Sequence, residues 1–331
     1  MSVRIGFAVK NPSGNIEQNN YNEIAAMNFF QRWAQAPQTS LLRRALFQVH
    51  LWLGIGLGLY VLVISISGSA ILLKSPFYGW FEPKNVTQPD GVEELSEDEQ
   101  RARMEEIYAD YQLGFTMYSM EADKATYIVL QKDGEYIPHY FNQYTGEDLG
   151  LARPWQIKMV EWVADWHDDL LLGRELGRRI NGAGGALFIL MSFTGLIIWW
   201  QGKKRWWEGL VIIPWSSRSI WWQIHSFCGF WALLLMLSWG VSGFQLGFPQ
   251  QLNAIVEFFG GEPGFGPNRG GVLGFFRDVH FARPGSQYSL ARWSWIFASF
   301  LPTVMFITGL IVWWRRVVMR WFNRIRNALR S

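Results

Sequence analysis

His50-Leu-Trp-Leu-Gly54 opens an apolar run that reaches Gly68, and His225-Ser-Phe-Cys-Gly229 opens a second that reaches Gly243. His, Gly and Gly hold the same relative positions in both. Each run has the length of about 20 apolar residues that roughly 30 Å of hydrocarbon demands, so each predicts a membrane helix with a histidine at its mouth. One intramembrane histidine already marks a functional site by default, and two at matching depth on two helices point to a shared ligand.

The repeat extends outward from these stretches. A second span ends Met191-Ser-Phe-Thr-Gly-Leu-Ile-Ile-Trp-Trp200 and a fourth ends Met305-Phe-Ile-Thr-Gly-Leu-Ile-Val-Trp-Trp314, identical at seven of ten positions. Asp165-Trp-His167 precedes one and Asp278-Val-His280 the other. The unit is therefore helix, outer loop, helix, present twice in one orientation, which predicts a pseudo-two-fold axis along the membrane normal.

Four spans result, roughly Phe47 to Leu73, Ala183 to Trp200, Trp222 to Phe248 and Trp293 to Trp314. Arg43 and Arg44, then Lys203, Lys204 and Arg205, then Arg315, Arg316 and Arg320 mark one side. By the positive-inside rule both termini are cytoplasmic, and in a bacterial inner membrane the outer segments are periplasmic. The expected division is a cytoplasmic arm over 1–40, a first helix pair at 41–74 and 183–201, and a periplasmic domain over 75–182. A cytoplasmic loop at 202–221, a second pair at 222–248 and 293–314, a periplasmic loop at 249–292 and a basic cytoplasmic tail at 315–331 complete it.

Composition agrees with a chain that is part membrane and part soluble. Of 331 residues 17% are charged and 17% aromatic, and mean hydropathy is near zero. The 20 tryptophans gather where spans end, at Trp199-Trp200, Trp206-Trp207, Trp221-Trp222 and Trp313-Trp314, as an aromatic belt. A net charge of +3 gives no reason to expect nucleic acid. The single cysteine, Cys228, excludes an internal disulfide, and without a Cys-x-x-Cys-His any haem is held non-covalently. The first 45 residues carry no apolar core of the signal-peptide kind, and Asn11 to Asn22 is polar, so the arm is expected to be mobile or to lie on a surface.

The long outer segment reads as a small α+β domain. Ser96-Glu-Asp-Glu99 has capping-box spacing and introduces a helix to about Tyr111. Thr126 to Gln131 alternates as a strand, Lys132-Asp133-Gly134 turns, Glu135 to Gln143 returns, and Tyr144-Thr-Gly-Glu147 closes the element. The glycine-rich Gly260 to Gly271 lacks the preceding strand of a phosphate loop and reads as a flexible connection.

Four of the five histidines fall on the repeat: His50 and His225 at the cytoplasmic ends of the first and third spans, His167 and His280 just outside the second and fourth. The two-fold axis brings the members of each pair towards one another, and two bis-imidazole b-type haems, one near each face, are the direct chemical reading. Gly54 and Gly229 lie one helical turn after their histidines and leave room for a porphyrin. Close helix packing is the alternative use of Gly54 and Gly58. Asp165 and Asp278 can orient the outer imidazoles only if their segments are irregular, because residues two apart do not share a helix face. Arg283, Arg174 and Arg178 are candidates for the outer propionates, and Arg43, Arg44 or Lys203 for the inner ones. Met191 and Met305 can be axial ligands or packing residues. His139 lies outside the repeat and reads as a surface residue.

These residues resemble the PepSY-associated transmembrane proteins, which include bacterial inner-membrane ferric-siderophore reductases. The likeness rests on the two His-to-Gly stretches, Trp166-His-Asp-Asp-Leu-Leu-Leu-Gly173, His280-Phe-Ala-Arg-Pro284, the Thr-Gly-Leu-Ile-x-Trp-Trp ends and Tyr140-Phe-Asn-Gln-Tyr-Thr-Gly146. It covers most of the chain from Leu41 to Arg316. The resemblance implies a PepSY-type outer domain, a haem-binding four-helix bundle and reduction of periplasmic iron chelates such as ferric siderophores.

The combined expectation is a mostly α membrane protein in which two non-covalent haem b groups carry electrons to a periplasmic ferric chelate. The chain carries no flavin or nicotinamide motif, so its electron donor is separate, a quinol or a cytoplasmic reductase. Two other readings use the same features: a non-enzymatic membrane anchor for a PepSY binding or protease-modulating module, and an iron or chelate transporter subunit.

Overall fold

The structure is a computed structural model that describes residues 28–203, 205–213, 219–261, 272–283 and 289–329. The first 27 residues of the expected arm, Lys204, the glycine-rich residues 262–271 and Pro284 lie outside them. The chain divides into two compact units: residues 1–65, 178–288 and 300–331 form one, and residues 66–177 and 289–299 the other.

Apolar helices dominate the first unit. In chain order the elements begin with α1 (Phe29–Gln35), α2 (Leu41–Gly56) and α3 (Gly58–Ile71), which runs on into the second unit. Then, after the second unit's own elements, come α7 (Arg174–Trp199), α8 (Ile220–Trp231), α9 (Leu233–Gly247), α10 (Pro249–Phe258) and α11 (Val272–His280). After α12 (Ser289–Ser299), which belongs to the second unit, follow α13 (Leu301–Trp313), a π turn at Trp314–Val318 and α14 (Met319–Ala328). Two helices, Arg174–Trp199 and the continuous run Leu290–Ala328, are long and apolar enough to cross a membrane. Counting each of two bent pairs as one span raises the number to four.

The bends alter the expected helices. Both His-to-Gly runs are read from sequence as unbroken, yet α2 turns into α3 by 58° and α8 into α9 by 64°. The breaks fall at Leu57 and Ala232, each seven residues after its histidine. Around Leu57 stand Gly54, Gly56 and Gly58, which hold a helix weakly; Gly229 precedes the second break.

Close packing within this unit uses other glycines than Gly54. A Cβ on Gly182 would stand 2.8 Å from Gly247 Cα, and one on Gly185 2.6 Å from the Phe244 amide nitrogen. Alanine at either position would force α7 and α9 apart. At the other end of α7 the Trp200 indole donates to the Trp33 carbonyl at 3.2 Å, which ties α1 down.

The second unit holds α4 (Lys74–Phe81), α5 (Glu97–Ile107), a four-stranded antiparallel sheet in the order β1-β2-β3-β4, and α6 (Trp155–Asp169). The strands are β1 (Gln112–Met117), β2 (Thr126–Lys132), β3 (Glu135–Phe141) and β4 (Asp148–Leu151). The capping box forms as the spacing predicts: the Glu99 amide donates to Ser96 Oγ and the Ser96 amide to Glu99 Oε2. The helix stops at Ile107 rather than Tyr111, because Tyr108 turns into the core with Met104, Ile128, Leu130 and Phe141. Each large apolar side chain so buried contributes about 1.5–3 kcal/mol. The β2-β3 turn places Asp133 and Gly134 at φ 53° and 82°, the left-handed pair of a tight hairpin. β1, β4 and α6 are elements that the sequence reading omits.

Candidate functional site

His50 on α2 and His225 on α8 face one another inside the first unit. Their ring centroids are 6.4 Å apart and their planes cross at 81°. Helix ends from the same half of the repeat hold each ring. Nδ1 of His50 lies 3.1 Å from the Met191 carbonyl and 3.2 Å from Thr194 Oγ1. Nδ1 of His225 lies 3.0 Å from the Met305 carbonyl and 3.1 Å from Thr308 Oγ1.

A carbonyl can only accept, so Nδ1 carries the proton in both rings and Nε2 presents its lone pair. The threonine hydroxyls donate into their own helices, Thr194 to the Leu190 carbonyl at 2.9 Å and Thr308 to the Val304 carbonyl at 2.7 Å. Each hydroxyl oxygen is left to accept from the imidazole. Among the described residues no hydrogen bond occupies either Nε2. The glycine after each threonine completes the cradle, since a Cβ on Gly195 or Gly309 would stand 3.1 Å from Cε1 of His50 or His225.

The second pair of histidines, His167 and His280, is held by a related device. Nδ1 of His280 lies 2.7 Å from Ser242 Oγ, whose hydroxyl donates to the Ser238 carbonyl at 2.8 Å. In the other unit Nδ1 of His167 lies 3.3 Å from Ser67 Oγ, and a Cβ on Gly68 would stand 2.8 Å from Cε1 of His167. Each serine precedes one of the repeated glycines, Gly68 and Gly243. A hydroxyl-glycine dipeptide thus stands against the imidazole of three histidines, and a serine alone touches the fourth.

The aspartates do not orient the imidazoles. Asp165 and His167 lie on α6, and Asp278 and His280 on α11, so the regular helix turns each pair apart. Asp278 pairs with Arg283 at 2.8 Å. Non-glycine residues with left-handed backbone follow each outer histidine closely: Leu170 and Leu171 at φ 56° and 57°, and Ala282 at φ 51°. Such residues cost about 1–2 kcal/mol each and set a sharp exit from the histidine helix.

A cavity of about 960 Å³ opens beside His50 and His225, which both line it. That is near the upper end of cofactor-sized pockets, about 300–1,000 Å³. Gly54, Gly58 and Gly229 line it, with Met305, Phe306 and Val61. A Cβ on Gly54 would meet nothing within 4 Å, so this glycine faces open space. One on Gly229 would meet the flexible end of Met305 at 2.9 Å. Arg43, Arg205, Arg316, Gln38 and Gln201 belong to the polar part of the lining, with Arg205 paired to Glu208 at 2.8 Å. Arg43 donates to the Ile198 carbonyl, and its Nε is buried with no partner among the described residues. Arg44 instead donates to the Thr39 carbonyl on the exposed side, and Lys203 is exposed; neither lines the cavity.

These residues fit a haem. Two collinear metal–imidazole bonds of about 2 Å, with each ring centroid roughly another 1 Å beyond its nitrogen, call for centroids roughly 6 Å apart. Among the described residues no group of three or more His, Cys, Asp or Glu forms a metal cage, and a haem needs only two protein ligands.

Of the arginines expected on the outer side, Arg283 is ion-paired with Asp278 and stacks over the Phe281 ring, and Arg178 and Arg174 both sit at the start of α7. Arg277, which the sequence reading passes over, has Nε and Nη2 buried and without partners among the described residues. The signal for it was available: it lies three residues before His280, on the same helix face. His139 is partly buried, paired with Asp148 at 3.0 Å in the four-stranded sheet.

A second hollow, of about 360 Å³, lies in the other unit between α4 and α6. Lys74, Arg153 and Lys158 line it with Glu161, Trp162 and Asp165. Arg153 pairs with Glu161, which also accepts from the Tyr78 hydroxyl at 3.1 Å. Burial, then the bond to Glu161, pushes the Tyr78 phenol up to about 12, so it stays protonated.

No curated protein matches the chain. The family model described as the PepSY-associated TM region matches residues 47–270, a stretch that takes in most of α2, the four-stranded sheet, α7 and α10. That is well over half of the 331 residues, and the chain belongs to the PepSY-associated transmembrane family.

Proposed function

We propose that the protein is a di-haem b-type reductase of the bacterial inner membrane that delivers electrons to a periplasmic ferric chelate of the siderophore kind. The observation that carries this reading is the inner pair, His50 and His225, each with Nδ1 committed as donor and Nε2 bare, at a separation suited to one shared metal. Four spans with both termini cytoplasmic, and the sheet domain periplasmic, are part of the proposal.

In this reading His50 and His225 hold the inner haem and His167 and His280 the outer one. Haem so ligated supplies one-electron oxidation and reduction at an iron with no open position, which suits electron transfer over oxygen chemistry. The chain's residues do the rest. Met191, Thr194, Met305 and Thr308 fix the imidazole tautomers and raise ligand basicity. Gly54 and Gly229 give the macrocycle room, and Arg43 and Arg316 offer charge-assisted bonds to propionates, whereas Arg205 is already engaged by Glu208. The hollow beside α6, with three cations to two carboxylates, suits an anionic chelate. Iron(III) leaves hard oxygen ligands more readily once it becomes the larger, less charged iron(II). A quinol or a cytoplasmic reductase is the donor.

The test is a visible spectrum of the detergent-purified protein, air-oxidised and then dithionite-reduced, with extracted haem counted per chain. Sharp reduced bands at two non-covalent haems per chain, reoxidised on mixing with ferric chelates, are expected. A colourless protein from haem-replete cells overturns the reading and leaves the membrane-anchored PepSY module.

A further inference from the structure

The interface of α9 and α11 holds polar groups that the fold does not satisfy. Gln245 on α9 is 1% exposed, and neither its amide nitrogen nor its amide oxygen has a partner among the described residues. Arg277 on α11 buries Nε and Nη2 in the same state and takes part in no ion pair among the described residues. Buried polar groups are nearly always hydrogen-bonded, and a buried guanidinium without an anion is the costlier exception.

Their placement ties both to one histidine. Ser242 on α9 accepts from Nδ1 of His280 on α11 at 2.7 Å. Gln245 follows Ser242 by three residues and Arg277 precedes His280 by three, so each shares the helix face that carries the Ser242–His280 contact. The two orphaned nitrogens of Arg277 also have a specific meaning. Nε–H and Nη2–H point the same way within the guanidinium plane, and together they form the side-on fork that takes both oxygens of one carboxylate. The Gln245 amide supplies a further donor. The neighbouring Arg283 does not compete for this role, because Asp278 already engages it.

We propose that Arg277 and Gln245 form a carboxylate-binding site beside His280. The inference rests on the di-haem reading, in which its occupant is a propionate of the outer haem. Arg277 and Gln245 then position the macrocycle while His280 binds its metal.

Full-length protein from haem-deficient cells is loaded in detergent with iron protoporphyrin IX or its dimethyl ester, which lacks free carboxylates. Loss to apomyoglobin is then timed for wild type, Arg277→Leu, Arg277→Lys and Gln245→Leu. With iron protoporphyrin IX, Arg277→Leu is expected to speed the loss of one haem of the two by about tenfold or more, as befits a charge-assisted bond. Arg277→Lys falls between, Gln245→Leu has a smaller effect, and none of the three changes the loss of the ester. Equal acceleration for the ester overturns the carboxylate assignment. A wild type that keeps two haems at rates Arg277→Leu leaves unchanged overturns this site alone, whereas a wild type that takes up no haem overturns the di-haem reading and the site with it.

Discussion

Nδ1 of His225 lies 3.1 Å from the hydroxyl of Thr308, and in the other half of the repeat Nδ1 of His50 lies 3.2 Å from the hydroxyl of Thr194. The Thr-Gly that sequence comparison of the two halves finds near the ends of α7 and α13 therefore supports the imidazoles of His50 and His225. Each helix pair builds its own support, and the two rings meet across the repeat.

Replacing Thr308 by Val removes the accepting hydroxyl at nearly constant shape and leaves the Met305 carbonyl. Haem content is expected to stay at the wild-type level, while the imidazole becomes less basic and stabilises ferric iron less. The inner midpoint potential then rises by roughly 20–40 mV, if up to about 1 kcal/mol of hydrogen-bond worth is lost and one electron is moved. A potentiometric titration followed in the visible region measures this, and an unchanged potential would remove Thr308 from the site.

The two kinds of glycine separate cleanly. Gly54→Ala adds a methyl that meets no protein atom within 4 Å, so the fold should be untouched and inner haem occupancy should fall. Gly309→Ala presses on the His225 ring and should disturb its ligation directly. Haem counts beside circular dichroism distinguish the cases; full occupancy in Gly54→Ala would mean that this open space is not where a macrocycle lies.

His225→Ala is expected to lose, or leave five-coordinate, one haem of two, with His50→Ala affecting the same one and His167→Ala or His280→Ala the other. Electron paramagnetic resonance of the ferric protein reads the change from low to high spin. If His225→Ala kept both haems six-coordinate, the pairing of His50 with His225 would be wrong.

The four histidines were legible because duplication repeats them at constant spacing, and the capping box and the β2-β3 hairpin because their signals are local. The bends were not: a run of apolar residues reads the same whether or not it turns at Leu57 or Ala232. β1 and β4 escaped because short strands at a sheet's edges draw their stability from partners on other strands, as Leu113 does from Leu130 and Leu151 from His139. The expected role of Asp165 and Asp278 failed on helix geometry, and the hydroxyls that replace them sit on other helices, where no local spacing connects them to a histidine. Arg277 was passed over for Arg283 because exposure and pairing, not proximity in sequence, decide which guanidinium is left for a ligand.

The four-stranded sheet carries a pH-sensitive bond. Burial pushes the Asp148 carboxyl up, but hydrogen bonds from His139 at 3.0 Å and the Gly150 amide at 2.8 Å outweigh it and leave the group below its usual 3.8. A carboxylate depressed in the folded state contributes stability that is present above the unfolded value and disappears as pH falls through the folded one. Thermal melts should therefore show a loss below about pH 4 that is smaller in Asp148→Asn than in wild type. Equal acid sensitivity in the two proteins would place the effect elsewhere.

The hollow beside α6 gives the substrate side its own test. Lys158 is exposed on α6 and, with Lys74 and Arg153, outweighs Glu161 and Asp165, of which Glu161 is already paired with Arg153. If an anionic ferric chelate docks there, Lys158→Glu moves the local charge by two and should raise KM several-fold while kcat and haem content stay unchanged, since no atom near a histidine moves. The effect should shrink at high salt, where the screening length falls to about 3 Å from the roughly 8 Å of physiological solution. A neutral chelate should show no change at either salt. A KM for the anionic chelate that ignores Lys158→Glu would move docking away from this hollow and leave the inner pair, which the substitution does not touch, as it stands.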